Sequence, residues 1–276
     1  MKATFHCHSV WCDGRNTVEE MILAALDRGF DAIGFSSHAM FPAFERYTLG
    51  PAAAPEYVRE IRSLAEKYRG RIRVLCALEA DYIPGVTTPD RSRYAALGLD
   101  YLIGSVHWTP SPAWTTGRID DPSLVPVDHT PEILRDGLRD YFGGDARRLI
   151  VRYHELLREM VATCDFDIVG HADLYRKYNV KHPFFDENAP WHLAELEKSA
   201  DAIAASGRLV EVNTGAIGRG WRDDAYPSDR FRALLRERGV RFVLDSDSHS
   251  VETVDAGYDR YAGAENYVTP AASDLV

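Results

Sequence analysis

Short apolar runs rich in β-branched residues alternate along the chain with longer segments in which apolar residues recur at helical spacing. Seven of the short runs predict strands, at residues 3–6, 32–36, 73–78, 101–105, 168–170, 209–212 and 241–244. Six longer segments predict helices, at residues 17–28, 55–68, 131–142, 145–164, 189–206 and 228–238. Strands separated by helices pair in parallel through right-handed crossovers. Seven such units favour a closed β/α barrel over an open sheet.

Capping and turn residues mark the limits of these elements. The helix at 17–28 opens with Thr17 and has Glu20 three residues later, which is the capping-box pattern, and Gly29 follows its end. Two long stretches rich in proline and glycine, 41–55 and 108–131, predict loops at one end of the strands. Loops of that length in a compact domain usually carry function. With no internal repeat and no linker composition, residues 1–276 are predicted to form one domain.

The charge balance narrows the classes of partner. Asp and Glu number 42 against 32 Lys and Arg, which gives a net charge of −10. A surface of this sign disfavours long nucleic acids, whose phosphates need basic residues, and it disfavours an anionic membrane. No apolar run reaches the roughly 18 residues of a membrane span, and the first residues lack the apolar core of a signal peptide. We therefore expect a cytoplasmic protein whose four cysteines are reduced.

Six of the ten histidines lie at or just after the end of a predicted strand: His6, His8, His38, His107, His171 and His249. Three carboxylates follow strands in the same way: Asp13, Glu79 and Asp247. The carboxyl ends of parallel barrel strands open on one face, so side chains from distant parts of the chain converge there. The other four histidines fall outside this pattern, and we interpret them as structural or solvated: His129, His154, His182 and His192.

The pair His6-x-His8 gives the sharpest local signal. Residues two apart on a strand point to the same side, so both imidazoles can reach one ion. An isolated pair of this kind is more often two unrelated surface histidines, but Asp247-x-His249 at another strand end reverses that preference. Imidazole with carboxylate is the ligand set of zinc, manganese and iron centres that keep open positions for catalysis. The pattern predicts a multinuclear metal site in which Glu79 is a bridging carboxylate.

Several short motifs together give the chain a family resemblance. They are His6-Cys7-His8-Ser9, Asp13-Gly14, Ile33-Gly34-Phe35-Ser36-Ser37-His38, Leu78-Glu79-Ala80-Asp81-Tyr82, Gly104-Ser105-Val106-His107, Val169-Gly170-His171 and Asp245-Ser246-Asp247-Ser248-His249-Ser250. In this order, and over nearly the whole chain, they resemble the motifs of the polymerase and histidinol phosphatase (PHP) family of metal-dependent phosphoesterases. The segments 171–179, 211–215 and 225–228 are similar to those of the stand-alone histidinol-phosphatase type.

The resemblance implies a distorted seven-stranded (β/α)7 TIM-like barrel with three divalent metal ions at the C-terminal face of its strands. The ions would be zinc, manganese or iron. Carried over by position, the implied ligand sets are His6, His8, Glu79 and Asp247 for one ion, Glu79 as a bridge with His107 and His171 for a second, and Asp13, His38 and His249 for a third.

Three features depart from the family pattern. Cys7 stands between the paired histidines in place of a hydroxyl residue, and strand alternation points it away from the metals. Asp245 stands where glycine is typical. The segment 108–114 differs from the apolar and acidic stretch that follows the His107 motif in the family. Because this loop is expected to cover the pocket, the last difference concerns the identity of the substrate.

The resemblance implies hydrolysis of a small phosphate monoester, first of all L-histidinol phosphate in histidine biosynthesis. Hydroxide bridging two metal ions would attack phosphorus, with Asp247 managing its proton or serving only as a ligand. Arginine offers fork-shaped, charged donors to phosphate, and Arg176 and Arg219 are the predicted phosphate-binding residues. The alternatives are a phosphoesterase of the same family acting on another small phosphate or nucleotide, and a non-catalytic metal-stabilised module. The nine candidate ligands argue against the module.

Overall fold

Nine strands are present in the computed structural model, which describes residues 1–40, 47–263 and 267–268. They are β1 (Ala3–Thr4), β2 (Ala32–His38), β3 (Arg73–Asp81), β4 (Tyr101–Ser105), β5 (Trp108–Pro110), β6 (Leu124–Pro126), β7 (Ile168–Val169), β8 (Leu209–Asn213) and β9 (Phe242–Asp245). Seven of them form one parallel sheet in the order β1-β2-β3-β4-β7-β8-β9. The strands β5 and β6 form a separate antiparallel hairpin.

The two edge strands of the seven-stranded sheet come together and nearly close it into a barrel. Cys7 pairs in parallel with Ser248 just beyond the ends of β1 and β9. In addition, the Ser246 amide donates to the Thr4 hydroxyl at 3.1 Å. This arrangement confirms the predicted seven-stranded β/α barrel, and the strand ends differ from the predicted ones by at most three residues.

Within the described ranges, eight α-helices accompany the strands: α1 (Val18–Asp27), α2 (Ala54–Lys67), α3 (Pro131–Tyr141), α4 (Ala146–Thr163), α5 (Pro190–Ser206), α6 (Gly215–Gly218), α7 (Asp229–Glu237) and α8 (Tyr258–Tyr261). The six longer ones were predicted to within one residue at each end. Thr17 and Glu20 form both hydrogen bonds of the capping box at the start of α1. None of the helices in the described part of the chain is both long and apolar enough to pass through a membrane.

The interior of the barrel is filled by side chains. Tyr101 is completely buried there, and its hydroxyl donates to the Phe5 carbonyl. Gly34 is required for this packing, because a Cβ at that position would lie 1.9 Å from the Tyr101 hydroxyl oxygen. A filled barrel leaves room for a binding site only at the ends of its strands.

The two long loops predicted from the sequence differ in what the structure adds. The stretch 108–131 is more ordered than an irregular connection, because it contains the β5–β6 hairpin, in which Trp108 pairs with Pro126. In the stretch 41–55, residues 41–46 lie outside the described residues. After them, the Leu49 amide donates to the His38 carbonyl at 2.9 Å. Both loops reach the C-terminal end of the barrel, where they border a cavity.

Candidate metal centre

The nine residues predicted as metal ligands come together at the C-terminal ends of the strands. They are His6, His8 and Asp13 after β1, His38 at the end of β2, Glu79 in β3, His107 after β4, His171 after β7, and Asp247 and His249 after β9. The register between β2 and β3 places His38 directly opposite Glu79. Parallel pairing therefore gathers residues that are up to 243 positions apart along the chain (6 to 249).

Glu79 lies at the middle of this cluster and is buried. Its Oε2 atom is 3.1 Å from His6 Nε2 and 3.1 Å from His38 Nδ1. Its Oε1 atom is 2.8 Å from His171 Nε2 and 3.4 Å from His107 Nε2. The two carboxylate oxygens thus face different pairs of histidines, which is the geometry that a bridging carboxylate needs.

Asp13 and Asp247 lie on either side of His8. Asp13 Oδ1 is 3.6 Å from His8 Nδ1, and Asp13 Oδ2 is 3.3 Å from His249 Nε2. Asp247 Oδ1 is 3.4 Å from His8 Nε2 and 3.8 Å from His6 Nε2. The described residues contain three sets of side chains whose ligand atoms, within each set, lie no more than 4.8 Å apart. The sets are His8 with Asp13, His38 and His249, then His6 with His8 and Asp247, and finally His38 with Glu79 and His107.

These sets overlap with the predicted ones but do not coincide with them. His8 belongs to the set with Asp13 as well as to the set with Asp247. His38 adjoins Glu79 as well as Asp13, whose Oδ1 lies 3.8 Å from His38 Nε2. The described ligands therefore form one continuous cluster, with His8 and His38 at the junctions.

Asp247 has an unusual backbone conformation. Its φ of 47° lies in the left-handed region, which a residue with a Cβ seldom adopts. Such strain persists when the surroundings hold it in place, and it is concentrated at functional sites. Here the turn directs the Asp247 carboxylate toward His6 and His8.

Several basic atoms in the cluster lie close to one another. His6 Nδ1 lies 2.8 Å from the Glu211 carboxylate, and with a ring proton on that nitrogen His6 Nε2 would offer its lone pair to a metal ion. That nitrogen is 3.1 Å from both His8 Nε2 and Glu79 Oε2. Asp13 Oδ1 is buried and has no hydrogen-bond partner among the described residues. Basic atoms this close need protons or a metal ion between them, so these residues fit divalent metals.

The charges in the cluster oppose the effect of burial on its titrating groups. Burial alone would lower the pKa of His6 and His38, but the facing carboxylates, Glu79 among them, raise it well above the usual value. Burial also acts against ionised Glu79, yet the surrounding histidines hold the pKa of that carboxyl well below its usual range. His8 is the exception, because burial and the neighbouring His249 lower its pKa to about 3.

Two further carboxylates orient the histidines from behind, and the sequence analysis missed both. Glu211 Oε2 accepts from His6 Nδ1 at 2.8 Å, and Asp81 Oδ1 accepts from His107 Nδ1 at 2.8 Å. Each bond turns the other ring nitrogen toward the cluster, as carboxylates do behind metal-bound histidines. For Glu211 the sequence did contain a signal, because this acidic residue interrupts the apolar run of a predicted strand. The structure shows that it is completely buried.

Replacing Glu211 by glutamine should weaken metal binding by about 10- to 100-fold while the fold is retained. The amide keeps the shape of the side chain but removes the charge that polarises His6. The substitution also removes one of two acceptor oxygens, both of which are used, since Glu211 Oε1 accepts from the side-chain amide of Asn213 at 2.8 Å. Metal dissociation constants from chelator competition measure the effect. Glu56→Gln on the exposed face of α2 is the control, and equal affinities in the two variants would contradict the role.

A cavity of about 390 Å³ opens next to the cluster. One wall is the cluster itself. The described remainder of the lining comes from the two long loops and the segment after β7, and it includes Tyr47, Thr48, Trp108, Pro126, Asp128, His129, Thr130, Leu174 and Lys177. The volume is that of a site for a small molecule.

Arg219, one of the two predicted phosphate-binding residues, lines this cavity. Its Nη2 atom donates to Asp247 Oδ2 at 2.8 Å, and its Nη1 atom lies 3.0 Å from His249 Nδ1. The guanidinium therefore borders the metal-ligand cluster, where a phosphoryl group bound to metal ions would be within its reach.

Arg176, the other predicted phosphate-binding residue, lies elsewhere. It is buried away from the cavity lining, and its guanidinium donates to three carboxylates: Glu187 at 2.7 Å, Asp173 at 3.2 Å and Asp224 at 2.6 Å. A guanidinium committed to three carboxylates is not available to a substrate. We therefore replace the predicted phosphate-binding role of Arg176 by a structural one.

Lys177, the next residue, lies at the cavity wall, where Arg176 was predicted to lie. It lines the cavity, and its Nζ atom donates to the Asp128 carbonyl at 2.8 Å. Burial lowers the pKa of Lys177, against the effect of the Asp128 charge. The chain thus presents Lys177 and Arg219 as cationic groups on the cavity wall.

The four histidines outside the predicted cluster divide into two kinds. His129 borders the cavity, with its ring 5.6 Å from that of Tyr47. His154 and His192 are buried on opposite sides of the Tyr175 hydroxyl, at 2.9 and 2.7 Å. His182 lies outside the cavity lining, in an exposed position. The interpretation as structural or solvated therefore holds for three of them, while His129 is a wall residue.

The strand ends of this barrel carry the ligand set of a metal-dependent hydrolase. Over residues 4–215 the chain matches the PHP domain, and it belongs to the PHP domain family. The resemblance that the motifs predicted is thereby confirmed.

Three comparisons show how far the similarity extends. A protein of Deinococcus radiodurans named probable histidinol-phosphatase is 30% identical over 250 residues, which cover 88% of this chain and 85% of that protein. The hisK structure from Listeria monocytogenes has a TM-score of 0.81 at 20% identity and covers 94% of this chain and 100% of that one. Histidinol phosphate phosphatase from Lactococcus lactis, solved with zinc, L-histidinol and phosphate, has a TM-score of 0.66 at 18% identity, with coverages of 98% and 97%. The two structures share the fold of this chain.

Proposed function

We propose that this chain hydrolyses L-histidinol phosphate to L-histidinol and phosphate. The observation that carries the proposal is the convergence on Glu79 of histidines from four strand ends, beside a cavity of about 390 Å³. A cavity of this size suits a small phosphate monoester better than a nucleic acid. The similarity to the Deinococcus protein over most of both chains supports histidinol phosphate as the monoester.

Three divalent ions, of zinc, manganese or iron, are part of the proposal. One would be held by His6, His8, Glu79 and Asp247, a second by Glu79, His107 and His171, and a third by Asp13, His38 and His249. The division of the Glu79 oxygens between two pairs of histidines supports its bridging role. The positions of Asp13 and His249, 3.3 Å apart, support the third set.

Bound divalent ions would supply Lewis acidity toward the phosphoryl group and would lower the pKa of a water molecule. Arg219 would donate to the phosphoryl oxygens, which need charged donors as negative charge builds up. We assign to Asp247 the handling of the proton of the attacking water, in addition to its role as a ligand. Despite burial, Arg219 and His6 hold the pKa of Asp247 well below its usual range, so its carboxylate is ionised and can accept a hydrogen bond from the attacking water.

The test is a panel of kcat/KM values for protein loaded with zinc, manganese or iron. The panel contains L-histidinol phosphate, other small phosphate monoesters, a nucleoside monophosphate and a short single-stranded DNA. We expect histidinol phosphate to exceed every other substrate by at least about tenfold, because discrimination by a few buried polar contacts reaches that range or beyond.

Each other result selects one of the alternatives. Comparable rates on many monoesters would remove histidinol phosphate as the specific substrate and leave a broad phosphatase. Preference for the nucleotide or for the DNA would favour a phosphoesterase of the same family that acts on nucleotides or nucleic-acid ends. Metal-loaded protein that hydrolyses no phosphoester would favour a non-catalytic metal-stabilised module.

A further inference from the structure

Five carboxylates of the described residues line the cavity, and they differ in how they are used. Four are committed to histidines of the centre: Asp13, Glu79, Asp81 and Asp247. The fifth, Asp128, belongs to the loop that follows β6. Among the described residues, its carboxylate forms one ion pair, with Lys177.

Main-chain contacts fix the position of Asp128. Its carbonyl accepts from Lys177 Nζ at 2.8 Å and from the Tyr178 hydroxyl at 2.5 Å. The amide of the preceding residue, Val127, donates to the carbonyl of His107 at 2.9 Å, which ties this segment to the metal-ligand cluster. The wall therefore places the Asp128 side chain at a defined site, and the side chain itself contributes little to holding the wall together.

The side-chain carboxylate of Asp128 is held less firmly than its main chain. Its Oδ2 atom lies 3.4 Å from Lys177 Nζ, which is longer than the 2.7–2.9 Å of an ordinary charged hydrogen bond. Its side chain is 28% exposed, and it borders the cavity. Burial acts against the charge, but Lys177 and His107 hold the pKa of Asp128 below its usual value. An ionised carboxylate with one long contact has room for a second cationic partner.

We propose that Asp128 selects substrates by binding an ammonium group that they carry beside the phosphate. This inference rests on the proposed function and deepens it by naming the substrate class, an aminoalkyl phosphate monoester. With the phosphate at the metal ions and Arg219, the remainder of the molecule would occupy the cavity that Asp128 borders.

The experiment compares two substrates in Asp128→Asn protein, one with the amine and one without it. L-histidinol phosphate carries the ammonium, and 3-(imidazol-4-yl)propyl phosphate has the same skeleton without it. Asparagine keeps the backbone contacts to Lys177 and Tyr178 and removes only the charge. For L-histidinol phosphate, kcat/KM should fall about 10- to 100-fold, chiefly through KM, which is the range for a hydrogen bond to a charged group. For the des-amino phosphate, kcat/KM should stay nearly the same.

A matched control and the remaining outcomes complete the test. Asp120→Asn changes an exposed aspartate of the same loop, paired with Arg118, and should leave both substrates unaffected. Equal losses on both substrates in Asp128→Asn protein would overturn the inference and assign Asp128 to the support of Lys177. Unchanged rates on both would overturn it as well. Failure of the proposed function is distinguishable, because wild-type protein would then show no preference for L-histidinol phosphate over the other monoesters of the panel.

Discussion

Alanine at His8 should abolish metal binding and phosphatase activity together, and alanine at Asp247 should do the same. The two side chains are 3.4 Å apart, so both substitutions remove a ligand of the same proposed ion site. His8 also lies 3.6 Å from Asp13, where that site meets the next one. Loss of metal chemistry should lower kcat/KM by about 10³-fold or more. Metal content and kinetics measured on the same preparations will show whether the two losses coincide.

A histidine outside the cluster provides the control for this pair. His182 is exposed and does not line the cavity, so His182→Ala should retain both metal and activity. Circular dichroism of all three variants separates loss of a ligand from loss of the fold. Full activity in either the His8 or the Asp247 variant would refute the proposed centre.

The ligand residues could be predicted because each one follows a signal that is local in the sequence. Glu79 directly follows an apolar run, and His38, Asp247 and His249 each come a few residues after the end of another. Parallel strands then bring these ends to one face without any further information. The same reasoning placed the barrel strands and the six longer helices, since both periodicities are set by the backbone.

The side chains that line the rest of the cavity could not be predicted in this way. Arg176 and Lys177 are neighbours in a short turn of 3₁₀ helix and its cap, where neither the strand period nor the helix period says which side chain faces the cavity. The outcome depended on Asp173, Glu187 and Asp224, which enclose Arg176 only in the folded chain.

The position of Asp128 depends on the β5–β6 hairpin, which the residue pattern did not predict. The strands β5 and β6 have three residues each, and proline occupies the end of both, at Pro110 and Pro126. Proline argues against strand when read locally. The pairing of Trp108 with Pro126 is nevertheless what carries the chain from the end of β4 back to the cavity, where Asp128 follows.

Metal affinity should rise steeply with pH, because protons occupy the cluster when metal is absent. Carboxylates raise the pKa of His6 and His38 well above the usual value, and Asp81 and Glu79 raise that of His107 to about 9 against the effect of burial. We therefore expect these imidazoles to hold protons in the metal-free protein at neutral pH. A metal ion binds the neutral ring and must displace each proton, so affinity increases by about tenfold per pH unit for every proton released.

Three displaced protons give an increase of about 10³-fold per pH unit between pH 6.5 and 7.5. His8, with a pKa of about 3, is already neutral and adds nothing to the slope. Chelator competition at several pH values measures the slope, and calorimetry in buffers of different ionisation enthalpy counts the protons. Asp81→Asn removes the charge that raises the pKa of His107 and should reduce the count by about one. Affinity independent of pH would show that the imidazoles are neutral before metal binds.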